Sequence, residues 1–112
     1  MKIESRDVCQ AFLDRKPRKM KRSHTDGAAL YLFGNKIAWH TQDGGIAFTM
    51  AGHPTVTTRD RLNTLCLLWN NTRPFYQKRR VQYYNDTEIH EHQVIVITLI
   101  TLVDPSDVFE FA

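Results

Sequence analysis

Three short apolar runs separated by two turn signals constrain the fold of this chain more than any other feature. Gly34-Asn35 follows the run 29–33, and Asp43-Gly44 follows the run 36–41. Asn, Asp and Gly tolerate the positive φ angles that tight hairpin turns require, so each pair predicts a reversal of the chain. The pattern therefore predicts an antiparallel meander whose third strand is 46–50.

Two-residue loops at both turns would fix the register of this meander. Leu32 would then lie opposite Ile37, and Trp39 would lie opposite both Leu30 and Phe48. Directly opposed residues share a face of the sheet, so the apolar side chains gather on one side. That predicted apolar face consists of Leu30, Leu32, Ile37, Trp39, Phe48 and Met50.

An amphipathic helix is predicted on either side of the meander. The first spans about 5–15, with Ser5 as its N-cap. The second spans 57–69 and begins with Thr57 and Asp60 in a capping-box pattern. Its apolar stripe has the i, i+3, i+4, i+7 spacing of a buried helical face, with Leu62, Leu65, Cys66 and Trp69. We expect this second helix to cover the apolar face of the meander.

The last third of the chain predicts a long β-hairpin. Its arms are 75–84 and 89–103, joined by a turn at Asn85-Asp86. Pairing about that turn places Arg80 opposite Glu91, an attractive cross-strand pair. The expected fold class is α+β: a three-stranded antiparallel meander covered by a helix, with an N-terminal helix and a C-terminal β-hairpin.

The length of 112 residues indicates a single domain. Residues 1–85 carry all fifteen Lys and Arg against six acids, whereas 86–112 carry six acids and neither Lys nor Arg. This division is typical of chains that contact nucleic acid, and equally of chains whose own complementary surfaces meet. We expect a basic loop at 15–27 and an acidic tail at 104–112. The sequence does not decide whether this tail adopts a fixed structure.

Two basic segments form the candidate nucleic-acid-binding site. The first, 15–22, has no apolar periodicity, and the second, 78–80, is flanked by tyrosines. Clustered cations release counterions from a phosphate backbone, and aromatic rings beside them stack on unpaired bases. The predicted nucleic-acid-binding residues are Arg15, Lys16, Arg18, Lys19, Lys21, Arg22, Lys78, Arg79, Arg80, Tyr76 and Tyr84. The alternative is a solvated loop and a hairpin whose charges pair with neighbouring acids.

Catalytic and metal-binding chemistry is not indicated. The sequence lacks the GxSxG and HExxH motifs and a phosphate-binding Gly loop. Cys9 and Cys66 fall on apolar helical stripes, which favours a structural role for both. His90 and His92 alternate on one predicted strand face without a third ligand at metal-binding spacing. We therefore expect no enzymatic activity, no catalytic residue, no cofactor and no metal.

The chain shows no sign of membrane association. Its first residues lack the apolar stretch of a signal peptide. The most apolar run, 94–103, is too short to cross a bilayer as a helix. As a long apolar strand, the same run is suited to pairing with a second copy of the chain or with the sheet edge of another protein.

Three motifs resemble a family of small uncharacterised proteins of tailed bacteriophages. They are a Thr-Asp-Gly turn at 25–27, the strand pattern LYLFGNKIA at 30–38, and AGHPTVTTRDRLN at 51–63. The resemblance covers roughly residues 5–65. It implies a phage origin and a role in the cytoplasm of the infected bacterial host. It implies no activity, so no functional residue is carried over.

Two functions from different classes stay open. The first is a non-enzymatic phage accessory protein that binds DNA or RNA through 15–22 and 78–80. The second is a protein-directed inhibitor that binds a host enzyme or an antiviral defence complex. Its surface would be the exposed sheet face or the strand 94–103, which could also join two copies as a homodimer.

Overall fold

The computed structural model describes residues 3–98, which form two helices and nine strands. In chain order the elements are α1 (Ile3–Leu13), β1 (Arg18–Lys19), β2 (Ser23–Thr25), β3 (Ala29–Leu32), β4 (Asn35–His40), β5 (Gly45–Phe48), α2 (Val56–Asn70), β6 (Phe75–Lys78), β7 (Val81–Tyr84), β8 (Thr87–Ile89) and β9 (Ile95–Thr98). The acidic tail 104–112, and the predicted strand beyond residue 98, lie outside the described residues.

The strands form two antiparallel sheets. The main sheet has the order β1-β2-β3-β4-β5-β9, and a smaller sheet has the order β6-β7-β8. The predicted α+β class is confirmed, and the predicted meander is the β3-β4-β5 part of the main sheet. We call the face of the main sheet that contacts the helices the inner face, and the opposite face the outer face.

The prediction of a loop over 15–27 is wrong, because β1 and β2 lie within it and extend the meander. Ser23 and Thr25 point inward and are buried although they are polar. The Thr25 hydroxyl donates to the carbonyl of Ala29 at 2.6 Å and accepts the amide of Gly27 at 3.0 Å. Specific hydrogen bonds thus replace apolar burial in β2, so the strand carries no hydrophobic alternation.

The first turn of the meander lies one residue earlier than predicted. Phe33 and Gly34 occupy its central positions with φ of 51° and 81°, and Leu32 pairs with Asn35 across it. A non-glycine residue with positive φ is uncommon, so turn propensity favours Gly34-Asn35 instead. The second turn is at the predicted place, but its loop has four residues, 41–44, between β4 and β5.

A β-bulge in β4 changes the predicted register. Leu30 pairs with Ala38, whereas the residue after Leu30 pairs with Lys36, so Ile37 is an extra residue on β4. Five of the six side chains predicted for the apolar face are buried. The prediction for Trp39 is wrong: it neighbours the inward-facing Ala38 on the strand, lies on the outer face and is half-buried.

Both helices pack on the inner face, and the predicted cover of the meander by the second helix is confirmed. Three members of the predicted stripe on α2 are fully buried, and Trp69 is half-buried. The core comprises Val8, Cys9, Phe12, Leu30, Leu32, Ile37, Ala38, Ile46, Phe48, Met50, Leu62, Leu65, Cys66, Phe75 and Ile89.

The predicted N-caps of both helices are wrong. The cap of α2 is Thr55, whose hydroxyl accepts the amide of Thr58 at 3.2 Å. Thr57 lies inside the helix, and Asp60 uses its carboxylate for contacts with a buried arginine instead of closing a capping box. Ser5 lies inside α1, where it is buried.

The predicted long hairpin is instead the small sheet followed by a separate strand. A turn at residues 79–80, with φ of 53° and 67°, divides the first arm into β6 and β7. The turn at Asn85-Asp86 and its register are confirmed. However, β8 ends at Ile89, before the ladder reaches Glu91, and β9 pairs with β5 of the main sheet. Two arginines carry no turn propensity, which is why the first reversal was not predicted.

We expect Thr55→Ala to lower the free energy of unfolding by about 1 kcal/mol, because the Thr58 amide loses its acceptor. Thr57→Ala makes the same chemical change two residues further on and serves as the matched control, with an expected loss below about 0.5 kcal/mol. Urea unfolding of the unchanged protein and the two variants measures both losses of unfolding free energy. A larger loss for Thr57→Ala would contradict the assignment of the cap.

Candidate nucleic-acid interface

The first basic segment, 15–22, forms an edge of the main sheet. All six of its cations are exposed, and two of them constitute β1. Within residues 3–98, Arg18 is the one cation of this segment that takes part in an ion pair, at 3.7 Å from Asp7. We call this segment the basic edge, because its positive charge faces solvent largely uncompensated.

A tight turn before β3 anchors the beginning of the basic edge. Asp26 accepts the amides of Ala28 and Ala29, each at 2.8 Å, and these bonds lower the pKa of its carboxyl. Gly27 has a φ of 93°, and a Cβ there would lie 2.7 Å from the carbonyl oxygen of Arg15. Only glycine fits this close approach, so the turn packs directly against the backbone at the start of the basic edge.

A buried arginine on α2 anchors the C-terminal end of the basic edge. The side chain of Arg61 is 1% exposed. Its Nε donates to Ser23 at 2.9 Å, and its Nη1 donates to Ser5 at 2.5 Å and to Asp60 at 2.8 Å. Its Nη2 donates to Glu4 at 3.0 Å. These five residues, which we call the Arg61 cluster, join α1, α2 and β2.

Glu4 connects the Arg61 cluster to the basic edge. Its Oε2 accepts the backbone amide of Arg22 at 2.9 Å and the hydroxyl of Ser23 at 2.7 Å, besides the guanidinium of Arg61. Burial alone would raise the pKa of Glu4, but these hydrogen bonds and the positive charge of Arg61 outweigh it and lower the pKa from its ordinary value of 4.5. The last residue of the basic edge is therefore attached to an ionised carboxylate on α1.

Cationic and aromatic side chains continue from the basic edge across the outer face. Lys19 pairs with His24, His24 with Tyr31, and Tyr31 with Lys36 on successive strands. The rings of His24 and Tyr31 stack at 4.7 Å between centroids, with an interplanar angle of 7°. The Nζ of Lys36 lies 4.8 Å from the ring centroid of Trp39. We call these five side chains the outer row.

A shallow depression adjoins the basic edge and the outer row. Its volume is about 390 Å³, and it is lined by Pro17, Arg18, Lys19, His24 and Thr25. Two cations and an imidazole border it, which suits an anionic group. The sequence prediction found its cations but missed His24, because residues 23–25 were assigned to a loop.

The second basic segment lies on the small sheet. Residues 79–80 form the β6–β7 turn, Lys78 precedes them, and all three cations are exposed. The ring of Tyr76 stacks on that of Tyr83, with centroids 5.0 Å apart, and the Tyr76 hydroxyl donates to Asp86 at 2.7 Å. The two predicted basic segments thus belong to different sheets.

Tyr84 does not share a surface with Tyr76. It pairs with Phe75, and the two rings meet edge to face with centroids 5.0 Å apart. Burial raises the pKa of Tyr84 to about 12. The structure therefore separates Tyr84 from the other predicted binding residues and places Tyr83 beside Tyr76.

The cysteines and the two C-terminal histidines occupy unlike environments. The predicted burial of Cys9 and Cys66 is confirmed, and it raises the pKa of both thiols, that of Cys66 to about 12.

His90 and His92 are exposed and follow the end of β8, so the prediction that they share a strand face is wrong. Among residues 3–98, no three His, Cys, Asp or Glu side chains are grouped as metal ligands.

The chain belongs to the Kyanoviridae Gp96 protein family, whose model matches residues 2–98. The predicted origin in a small tailed-phage protein family is confirmed. No match was found among curated proteins or among solved structures. Over residues 3–98, no helix combines the length and the apolar character needed to cross a membrane.

We expect Glu4→Gln to remove a pH-dependent part of the stability. The pKa of Glu4 is lower in the folded chain than its ordinary value of 4.5, so its stabilising effect is fully present above that value. It is lost as the pH falls through the lower, folded pKa. In urea unfolding from about pH 6 to about pH 3, the stability difference between the two proteins should shrink as the pH falls. A difference that stays constant over this range would contradict the role given to Glu4.

Proposed function

We propose that this member of the Kyanoviridae Gp96 family is a non-enzymatic phage accessory protein that binds nucleic acid. The primary contact is the basic edge, residues 15–22, and residues 78–80 make a second contact. The protein acts in the cytoplasm of the infected bacterial host. The observation that best supports this proposal is the concentration of exposed cations on the basic edge, of which Arg18 alone is ion-paired within residues 3–98.

Exposed, unpaired cations suit phosphate binding for a physical reason. They keep their hydration in the free protein and exchange it for phosphate contacts only when nucleic acid arrives, while condensed counterions leave the backbone. The backbone beneath them is already anchored at Gly27 and at the Arg61 cluster. Less ordering of the main chain is therefore needed on binding, which favours affinity.

The two basic segments are expected to contribute unequally. The basic edge combines six cations with the adjoining depression, whereas residues 78–80 supply three cations at the tip of a hairpin. Glu88 and Glu91 line the same depression as Arg80 and place negative charge near that tip. These features favour the basic edge as the dominant contact.

We expect affinity for a labelled oligonucleotide to fall steeply with salt, as measured by fluorescence anisotropy. The triple variant Lys16→Gln, Lys19→Gln and Lys21→Gln should flatten the slope of log K against log salt by roughly two, because up to three phosphate contacts are lost. None of these lysines forms an ion pair within residues 3–98, so their replacement breaks no ion pair of the folded chain.

A matched variant removes three charges from the second segment: Lys78→Gln, Arg79→Asn and Arg80→Gly. Asn-Gly suits the positive φ angles of that turn, so the hairpin is preserved. We expect a smaller change of slope in this control. Equal effects of the two variants would show that net charge, not the basic edge, sets the affinity. Absence of binding to DNA and RNA at low salt would contradict the whole proposal.

Protein binding along β9 is a second candidate. This strand is the last in the order of the main sheet, and Val96 on its outer face is 55% exposed. Val94, which precedes the strand, is 47% exposed. Apolar edge strands accept a further strand from a partner, which suits an inhibitor of a host enzyme or defence complex, or a homodimer.

Sedimentation velocity separates the homodimer from the other candidates. If β9 pairs two copies, the sedimentation coefficient rises with concentration, and Val96→Lys suppresses the rise. A coefficient independent of concentration removes the homodimer. Nucleic-acid binding that is unchanged in Val96→Lys keeps the two candidate surfaces distinct.

A further inference from the structure

We infer that the outer row stacks on the bases of single-stranded nucleic acid, while the basic edge holds the phosphates. The inference rests on the proposed function and specifies its ligand class. The outer row comprises Lys19, His24, Tyr31, Lys36 and Trp39. Of these, only Lys19 belongs to a segment predicted from the sequence to bind nucleic acid.

The dimensions of the outer row fit a short run of bases. Neighbouring strands of a sheet lie about 4.8 Å apart, so the four strands from Lys19 to Lys36 span roughly 14 Å. Four-stranded sheets of this extent stack two or three bases on their aromatic side chains in RNA-binding domains. The members of the row on these four strands are direct cross-strand partners. Their proximity is therefore set by the backbone and does not depend on side-chain rotamers.

The row combines positive charge with aromatic rings, the two features that suit a single strand. Lys19 and Lys36 provide positive charge at either end of the stacked pair His24 and Tyr31. Lys36 is also positioned over the ring of Trp39. Aromatic faces stack on any base, and adjacent cations neutralise the phosphates that link successive bases. The surface therefore combines both interactions without selecting a sequence.

The row is accessible on the described part of the fold. Both helices pack on the inner face, Lys19 and Lys36 are exposed, and the three rings of the row are half-buried. Trp39 lies between two alanines, Ala29 and Ala47, on the neighbouring strands, and the side chain that lies over its ring is the flexible Lys36, which can move aside for a base. Asp26, on the turn that follows β2, uses its carboxylate to accept two backbone amides.

A purely structural role for the row makes a different prediction. Cross-strand pairs of aromatic side chains stabilise sheets without any ligand. In that case the affinity for nucleic acid would depend on phosphates alone, and bases would add nothing. A duplex hides its bases in the helix stack, so an outer row that stacks on bases favours single strands.

The decisive comparison uses two probes with equal phosphate number. One is an oligothymidylate of about ten nucleotides, and the other is an abasic strand of the same length. We expect the full chain to bind the base-bearing strand at least about tenfold more tightly, and Tyr31→Leu or Trp39→Leu to remove most of this preference. The triple lysine variant of the basic edge should weaken binding of both strands.

A second measurement requires no change in the outer row. In a Trp69→Phe background, Trp39 is the remaining tryptophan of the chain. We expect oligothymidylate to quench its fluorescence and the abasic strand to leave it unchanged. This readout does not depend on how Tyr31→Leu or Trp39→Leu fold.

The outcomes separate the inference from the proposed function. Equal affinity for the base-bearing and abasic strands, with no selective quenching of Trp39, overturns the inference and leaves nucleic-acid binding in place. A preference for bases that survives in both Tyr31→Leu and Trp39→Leu also overturns the inference. Failure to bind either strand at low salt overturns the inference and the proposed function together.

Discussion

The buried guanidinium of Arg61 is the interaction on which the rest of the structure depends. A charge removed from water must be neutralised and hydrogen-bonded, and here two carboxylates and two hydroxyls do both. These partners come from α1, β2 and α2, so three elements must be in place together. Loss of both carboxylates would leave the buried guanidinium without a negative partner, at a cost of roughly 3–5 kcal/mol.

The same cluster positions the candidate interface. Its Glu4 carboxylate accepts the backbone amide of Arg22, and its Ser23 is bonded to both Glu4 and Arg61, which holds β2 against the helices. Since β2 carries Ser23 inward and His24 outward, fixing one side of the strand also fixes the other. The basic edge and the outer row are therefore presented by a strand whose stability comes from buried polar contacts, not from apolar packing.

Apolar periodicity predicted much of the fold, and its failures have identifiable causes. Both helices and the central meander were predicted because their buried residues are mostly apolar. Strand β2 was missed because Ser23 and Thr25 are buried through hydrogen bonds. The predicted register differs from the observed one because Phe33 adopts a positive φ and Ile37 forms a bulge. Neither feature follows from local propensity. Charge alone revealed the cations of the basic edge, but the outer row depends on the register and so required the structure.

The most direct test of nucleic-acid binding at the basic edge and outer row is a titration of the ¹⁵N-labelled protein with oligothymidylate, followed by two-dimensional NMR. We expect the largest chemical-shift changes at the backbone amides of β1 to β4, including those of Lys19, Tyr31 and Lys36, and at the indole N–H of Trp39. Changes confined to residues 78–80 or to β9, or no changes at low salt, would contradict the account.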